Sequence, residues 1–153
     1  MSNPTIITII LSMLPISELR GAIPFAIASK IPPLQAFIIA TLSNIIIIPI
    51  IFLFLDYIHK YLIKFNFYKK IIEKQIDSKK SQIEKNIGTK WEFIALALFV
   101  GVPLPLTGAY SGCLLAWFFK LKRKQSYLAI ILGVILAGII VTLASIGLIS
   151  IFS

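Results

Sequence analysis

The chain has 153 residues, of which 58% are hydrophobic and only 14% are charged, and its mean hydropathy is +0.95. A water-soluble domain of this length has too little interior to bury that much apolar surface, so the composition excludes an ordinary soluble domain and predicts a protein in a lipid bilayer. The net charge is +9, and the basic residues concentrate in segments 60–90 and 120–124. These segments are expected to be cytoplasmic loops beside anionic headgroups rather than a surface that binds nucleic acid.

The sequence lacks the residue sets that are typical of enzymes and metal sites. Cys113 is the only cysteine and His59 the only histidine, so neither a disulfide nor a metal-ligand cluster is expected. No Ser-His-Asp set, HExxH motif, P-loop or GxGxxG motif occurs. We therefore expect no enzymatic activity, no metal and no cofactor.

Four apolar stretches follow one another along the chain, at 5–28, 34–58, 91–119 and 125–152. The second and fourth are long enough to cross the bilayer as single helices, because roughly 20 helical residues span a hydrocarbon core of about 30 Å. We expect both of these stretches to be ordinary transmembrane helices.

The first and third stretches are interrupted near their middle. Pro15 ends one short apolar run and Pro103 ends the other, and each run is roughly 15 Å long as a helix, about half the hydrocarbon core. A polar or glycine-containing segment follows each run, PISELRG in one case and PLPLTG in the other. Two half-helices with a loop between them predict a re-entrant hairpin. The residues expected to break the helices are Pro15, Gly21, Pro24, Pro103 and Pro105.

The placement of the basic residues predicts how these hairpins enter the membrane. If stretch 91–119 crossed fully, the basic cluster at 119–124 would lie on the opposite face from the loop at 59–90. If the stretch enters and leaves on one side, both basic segments become cytoplasmic, as the positive-inside rule favours. The first hairpin is then expected to enter from the opposite face.

The predicted fold is an all-α integral membrane domain, residues 1–153, built as an inverted repeat of a re-entrant helical hairpin plus a transmembrane helix. Repeat 1 covers 4–58, repeat 2 covers 91–153, and 59–90 is a basic cytoplasmic linker whose isoleucine spacing predicts an amphipathic helix. A weak internal similarity supports the repeat, since the tripeptide 20–22 aligns with 107–109.

Glu18 and Arg20 are the ionisable residues of the first hairpin tip. A charged side chain at membrane depth costs about 2.5–3.5 kcal/mol on insertion scales, so both residues need a reason to be there. Residues two positions apart do not meet on a regular helix, so we expect a non-helical backbone or a separate partner for each. Ser17 is expected to cap a helix that starts at Glu18, while Arg20 points to the second hairpin, a cavity or an anionic substrate.

The second tip carries no charge. Thr107 is expected to cap a half-helix that begins with Gly108, whose free N–H groups form an anion-binding end. Asn44 lies at membrane depth in the second stretch, where it bonds either a neighbouring helix or a substrate. The candidate proton- and substrate-binding residues are Glu18, Arg20, Ser17, Thr107, Gly108 and Asn44. A purely structural role, in which the charged pair pins the hairpins together, remains an alternative.

Two motifs, ELRGAIP near the start and PLPLTGA after the basic middle, make the whole chain resemble the small multidrug export proteins. That family is distantly similar to the DedA superfamily, in which re-entrant hairpins accompany spans, and several members are implicated in moving lipids or polyprenyl phosphates. The second tip lacks the arginine that the DedA resemblance would lead one to expect. By resemblance, the first motif's positions are Glu18, Arg20, Gly21 and Pro24, and the second's are Pro103, Pro105, Thr107 and Gly108.

Three functions are compatible with these observations. The favoured one is proton-coupled secondary transport of a small or amphipathic substrate through a midplane site, with Glu18 as the proton-binding carboxylate. The alternatives are a DedA-like lipid or polyprenyl-phosphate translocase, in which Arg20 receives the phosphate, and a non-transporting membrane scaffold. We expect a homodimer, because broken helices need shielding from lipid, and a location in a prokaryotic plasma membrane.

Overall fold

The computed structural model describes residues 3–62, 90–104 and 107–152. All regular structure in these ranges is helical, which confirms the predicted all-α class for the described part of the chain. Residues 63–89, which form most of the predicted linker helix, lie outside the described residues, as does Pro105. The helices are α1 Pro4–Met13, α2 Glu18–Ala28, α3 Pro33–Leu62, α4 Lys90–Gly101, α5 Ala109–Phe118 and α6 Arg123–Phe152.

The two longest helices, α3 and α6, have 30 residues each. Their segments Pro33–Ile58 and Arg123–Leu148 are long and apolar enough to cross a membrane, with mean hydropathies of 2.7 and 2.8. Large apolar side chains remain exposed along both helices, including Leu53 and Leu143, which are 72% and 65% exposed. Apolar surface of this extent is typical of a lipid-facing helix rather than of a soluble protein.

The long helices α3 and α6 pack side by side and run antiparallel. Asp56, near the end of α3, bonds Arg123 at the start of α6. Further along, Thr41 lies against Gly138, where an added Cβ would be 2.8 Å from the Thr41 hydroxyl oxygen. Late α3 residues pair with early α6 residues, and early α3 residues pair with later α6 residues. The middles of the two helices therefore lie at the same level.

The short helices fill the space beside this pair. Helix α4 packs tightly on α6 at Gly133, where an added Cβ would lie 2.6 Å from Cβ of Val100 and 2.7 Å from the carbonyl oxygen of Ala97. Small residues at such crossings let helix backbones approach closely, which is the main source of packing energy between helices in lipid. Gly133 therefore fixes how α4, and the tip that comes after it, sit against α6.

The turn from α2 to α3 and the turn from α5 to α6 have the same construction. Lys30 and Lys120 occupy equivalent positions in them, with φ angles of 67° and 53°. In both turns the hydrogen bonds form the Schellman pattern that ends helices at a left-handed residue. The bonds run from the amides of Lys30 and Ile31 to the carbonyls of Ile27 and Ala26, and from those of Lys120 and Leu121 to the carbonyls of Trp117 and Ala116.

The close α4–α6 crossing gives the first testable prediction. Gly133→Ala should lower the stability of the purified protein by about 1–3 kcal/mol, because its methyl group overlaps Val100 and backbone that cannot easily move. Thermal unfolding in detergent measures the change. Gly147→Ala, on the same helix with no atom within 4 Å of the added Cβ, is the matched control and should leave stability unchanged. Equal melting temperatures for the two variants would contradict the crossing.

Candidate functional site

Residues 14–20, which are the connection between α1 and α2 with the first turn of α2, form what we call the first tip, and residues 102–108 between α4 and α5 form the second tip. They meet beside Asn44 and Val134, each twelve residues into its 30-residue helix. A small cavity of about 10 Å³ lies at this junction. Its lining includes the polar residues Glu18, Arg20 and Asn44 and the apolar residues Val100, Ala109 and Val134.

Glu18 sits against the N-terminal end of α5. Its side chain accepts a hydrogen bond from the Tyr110 backbone N–H at 3.3 Å, and Glu18 is only 8% exposed. The first N–H groups of a helix have no partner within the helix and carry partial positive charge, so they stabilise an anion. The carboxylate of Glu18 therefore does for α5 what a capping side chain does for an ordinary helix.

The contact requires glycine at position 108. Gly108 has φ 153° and ψ −168°, a backbone conformation that is essentially restricted to glycine. A Cβ added there would lie 1.9 Å from Oε2 of Glu18. Glu18 itself has a positive φ of 45°, which costs about 1–2 kcal/mol in a residue with a side chain. Such strain in both contact partners is typical of functional sites.

Arg20 bonds the second tip instead of Glu18. Its Nη2 donates to the backbone carbonyl of Thr107 and to the Thr107 hydroxyl oxygen, which is 2.9 Å away. That hydroxyl is held within its own tip, 2.6 Å from the Val102 carbonyl oxygen and 3.1 Å from the Leu104 amide nitrogen. The expectation that Glu18 and Arg20 have separate partners is met, and both partners lie in the second hairpin.

The predicted capping position is correct for Ser17 and wrong for Thr107. Ser17 is the N-cap residue of α2 and Glu18 lies in the first turn, but the Ser17 hydroxyl makes no capping hydrogen bond and packs over Gly21. Thr107 does not cap α5; Gly108 is the N-cap residue, and Glu18 supplies the carboxylate from outside the helix. The contact from Glu18, which is distant in the sequence, therefore caps α5 in place of the Thr107 side chain.

Among the described residues, the predicted break positions are correct for Pro15 and Pro103 and wrong for Gly21 and Pro24. Pro15 lies in the first tip and Pro103 in the second, between helices. Gly21 and Pro24 lie inside α2, which continues through both of them, so neither breaks the chain. Pro24 lies within α2 without an N–H of its own, next to the fully buried Ile23.

Asn44 and Tyr110 tie down the C-terminal end of α1. Nδ2 of Asn44 donates to the carbonyl of Ser12 at 2.9 Å, and the Tyr110 hydroxyl donates to the carbonyl of Met13. These are carbonyls of the last helical turn, which lack partners within the helix and are costly to bury unpaired. The amide nitrogen of Asn44 therefore bonds a neighbouring helix, as one of the two interpretations of the sequence expected.

A second polar cluster, at the other end of α3, was missed in the sequence. Asp56 accepts hydrogen bonds from Arg123 at 2.5 and 2.6 Å and from the Trp117 indole N–H at 3.1 Å. The Arg123 guanidinium also lies 4.7 Å from the centre of the Phe52 ring. The cluster joins the ends of α3, α5 and α6 at one level. The sequence feature that could have revealed this cluster is that Asp56 is the only acidic residue in stretch 34–58.

A family model described as "Putative small multi-drug export protein" matches residues 18–140. The match covers most of the chain, including both motifs, so the chain belongs to this family, and the resemblance of the two motifs is confirmed. Comparisons with curated proteins and with solved structures gave no match. The family and the two long apolar helices indicate a membrane protein, and an export family favours a transporter over an enzyme.

The contact between Glu18 and Gly108 gives the second prediction. Gly108→Ala should displace the Glu18 carboxylate and destabilise the protein, because the new methyl group occupies its place and the backbone angle is unfavourable for alanine. The same substitution in a Glu18→Ala background should cost less, since the overlap is gone. Thermal unfolding of the four proteins in the double-mutant cycle measures this coupling. Strictly additive costs would show that the two residues do not touch.

Proposed function

We propose that the protein is a secondary transporter that uses protons to move a small or amphipathic substrate through the junction of its two tips. The observation that carries the proposal is the position of Glu18, a carboxylate that is 8% exposed and lies at the level of mid-α3 and mid-α6. Ionisable groups at this depth are expensive and mark substrate or proton pathways by default.

The contacts of Glu18 suggest how a proton could be coupled to movement. While ionised, the carboxylate attracts the N-terminal end of α5 and holds α2 against it. Protonation removes the negative charge and weakens this attraction, so the two tips separate more easily. Arg20 keeps its charge and its bond to Thr107, and it provides a fixed positive group beside the opening junction.

The membrane arrangement that fits this mechanism is an inverted repeat of two re-entrant hairpins, each followed by a span. The twin Schellman turns support it, since Lys30 and Lys120 are ninety positions apart, as are the first residues of α3 and α6. Both basic segments, 59–90 and 119–124, are then cytoplasmic, in a prokaryotic plasma membrane. The Asp56 cluster, which holds the end of α3 at the level of Arg123, is compatible with this placement.

We also propose that the protein forms a homodimer. Ile16 in the first tip is 99% exposed and Leu104 in the second is 56% exposed. Irregular backbone at membrane depth is tolerated only where protein or a water-filled cavity covers it. A second copy of the chain is the simplest cover for the lipid-facing side of these two tips, and a water-filled approach from one face of the membrane reaches each of them.

A translocase of lipid or polyprenyl phosphate, of the DedA-like kind, is the second candidate. It is favoured by the positive groups that gather at the junction, where the Arg20 guanidinium lies beside the N-terminal end of α5. Without Glu18 on the helix end, the same groups could receive a phosphate. A scaffold is the third candidate, since the hydrogen bonds given for Glu18 and Arg20 stay within the protein.

The third prediction tests the role of Glu18. Glu18→Gln should reduce pH-driven substrate uptake in proteoliposomes to background, because glutamine keeps the shape but exchanges no proton, and the melting temperature should stay near that of the wild type. Asp56→Asn, the same chemical change outside the junction, is the matched control and should retain uptake.

Other outcomes of that experiment identify the alternatives. If Glu18→Gln transports normally while Arg20→Ala stops headgroup flipping without any pH gradient, the protein is a lipid translocase. If both variants lower only the amount of protein and no flux of any substrate depends on them, it is a scaffold.

The fourth prediction tests the inverted arrangement. Ile16→Cys and Leu104→Cys should react with a membrane-impermeant maleimide from opposite sides of the membrane, because the hairpins enter from opposite faces. Labelling is compared in intact cells and in inverted vesicles. The native Cys113 is fully buried, so the unaltered chain is the background control. Labelling of both positions from one side would refute the repeat.

A further inference from the structure

The cavity at the junction is lined by residues that correspond to one another in the two halves of the chain. Lys30 and Lys120, in the twin turns, are ninety positions apart, and the same separation relates residues of the cavity lining. The corresponding pairs in the lining are Glu18 with Gly108, Leu19 with Ala109, and Asn44 with Val134. The cavity therefore lies between matching parts of the fold, and its two sides can be compared position by position.

The two sides of the junction bury different kinds of side chain. We call the part of the molecule between the junction and the beginnings of α1 and α3 the α1 half, and the part between the junction and the beginnings of α4 and α6 the α4 half. The end of α6 belongs to the α1 half, because α6 runs antiparallel to α3. The buried polar residues of the α1 half are Thr8, Ser12, Thr41, Ser43, Asn44 and Ser145.

The corresponding positions of the α4 half are apolar. The ninety-residue separation gives the correspondence for the long helices, and Pro15 and Pro103, which follow α1 and α4, give it for the first arms. The counterparts of Thr8, Ser12, Thr41, Ser43 and Asn44 are Leu96, Val100, Ile131, Gly133 and Val134, which are all buried or partly buried. Ser126 is a buried polar residue of the α4 half, but it lies near the start of α6, about 12 Å along the helix from Val134.

Two buried oxygen atoms of the α1 half have no hydrogen-bond partner in the described protein. They are Oγ1 of Thr41 and Oδ1 of Asn44, whose residues are 5% and 1% exposed. Thr41 and Asn44 are three positions apart on α3, so they lie on one face of it. Oγ1 of Thr41 faces α6, since a Cβ added to Gly138 would be 2.8 Å from it. Because unpaired buried polar atoms are costly, these two atoms indicate water molecules inside the α1 half.

The hydroxyl groups of α1 extend this polar surface away from the junction. Thr8 and Ser12 are four positions apart, so they share a face of α1, and both are completely buried. Each hydroxyl donates to a carbonyl of its own helix, which leaves its oxygen able to accept from water. The Ser12 carbonyl accepts from Asn44, so this face of α1 ends at the junction. Successive polar groups are about 6 Å apart along the helix, a gap that one or two water molecules bridge.

We propose that these polar groups form a water path that joins the cavity beside Glu18 to the membrane face at which α1 and α3 begin. The apolar counterparts keep the packed interior of the α4 half dry. The path runs inside the packed helices, apart from the water that reaches the exposed side of each tip. A proton moves along it from water to the Glu18 carboxylate and returns the same way, so only O–H bonds change. No charged residue occurs in α1 or between Pro33 and Leu55 to oppose it.

This inference rests on the proposed proton coupling and adds its direction. In the described conformation Glu18 exchanges its proton with the face at which α1 begins, which is the outer face in the proposed membrane arrangement. Exchange with the other face then requires a second conformation, in which the apolar helices of the α4 half move apart.

Hydration of the two halves can be measured without a substrate. Water-edited solid-state NMR of the labelled protein in lipid gives the rate at which magnetisation passes from water to each backbone position. We expect the signals of Thr8, Ser12 and Thr41 to build up roughly threefold faster than those of their counterparts in the α4 half. Equal rates in the two sets, or faster transfer to the α4 half, would overturn the inference.

Two double variants test whether the hydroxyl groups hold the water. Thr8→Val with Thr41→Val keeps the shape of both side chains and removes both hydroxyls, so transfer from water to Asn44 should slow by roughly twofold. Leu96→Val with Ile131→Val, at the corresponding positions, is the matched control and should leave Asn44 unchanged. The same transfer rate to Asn44 in both double variants would count against the path.

Cysteine accessibility tests which membrane face the path meets. Labelling of Asn3→Cys, at the N-cap of α1, identifies the face at which α1 begins. A small, membrane-impermeant methanethiosulfonate added at that face should modify Thr8→Cys much faster than from the other face, and it should modify Leu96→Cys slowly from both. The unaltered chain, with its fully buried Cys113, gives the background. Faster modification of Thr8→Cys from the opposite face, or of Leu96→Cys from either, would contradict the path.

The path and the proton coupling can fail separately. If the α1 half is hydrated as expected but Glu18→Gln leaves uptake intact, the path stands and the proposed proton coupling fails. If uptake depends on Glu18 and the two halves are equally dry, the coupling stands and the path is refuted.

Discussion

The structure depends on one exchange of contacts between its two halves, in which charged groups of the first tip are satisfied by the backbone of the second. The Glu18 carboxylate accepts the N–H of Tyr110, and Arg20 donates to the carbonyl of Thr107. In the proposed membrane arrangement both ions lie away from bulk water, so each needs opposite partial charge within the protein. A helix start and a tip carbonyl provide it. The requirement holds the two tips together.

The remaining features position these partners. Gly108 leaves the space that Glu18 fills, and Gly133 lets α4 approach α6 closely enough to bring the second tip to mid-helix level. Asn44 and Tyr110 hold the end of α1, from which the first tip departs. Near the C-terminal end of α3, Asp56 forms an ion pair with Arg123 at the start of α6 and so holds these two helix ends together. These contacts hold the elements on both sides of the junction in place.

Composition and local pattern were enough to predict the helices and the positions of the tips. Apolar length identified the two long helices, Pro15 and Pro103 marked both tips, and the two-residue spacing of Glu18 and Arg20 implied separate partners. The sequence offered the second hairpin as one of three partners for Arg20, but it did not predict which residues about 90 positions apart form the contacts. The capping of α5 by Glu18 and the conformation of Gly108 exist only in the assembled structure, which is why local rules misassigned Thr107. They misassigned Gly21 and Pro24 too, because α2 continues through both residues.

The central claim is that ionised Glu18 binds the helix end at Tyr110 and releases it on protonation. The amide nitrogen and proton chemical shifts of Tyr110, measured by NMR as a function of pH in lipid, test this most directly. The account predicts that the Tyr110 resonance moves on acidification toward the position it has at all pH values in Glu18→Gln. A resonance that ignores pH in the wild type, or that titrates unchanged in Glu18→Gln, would contradict it.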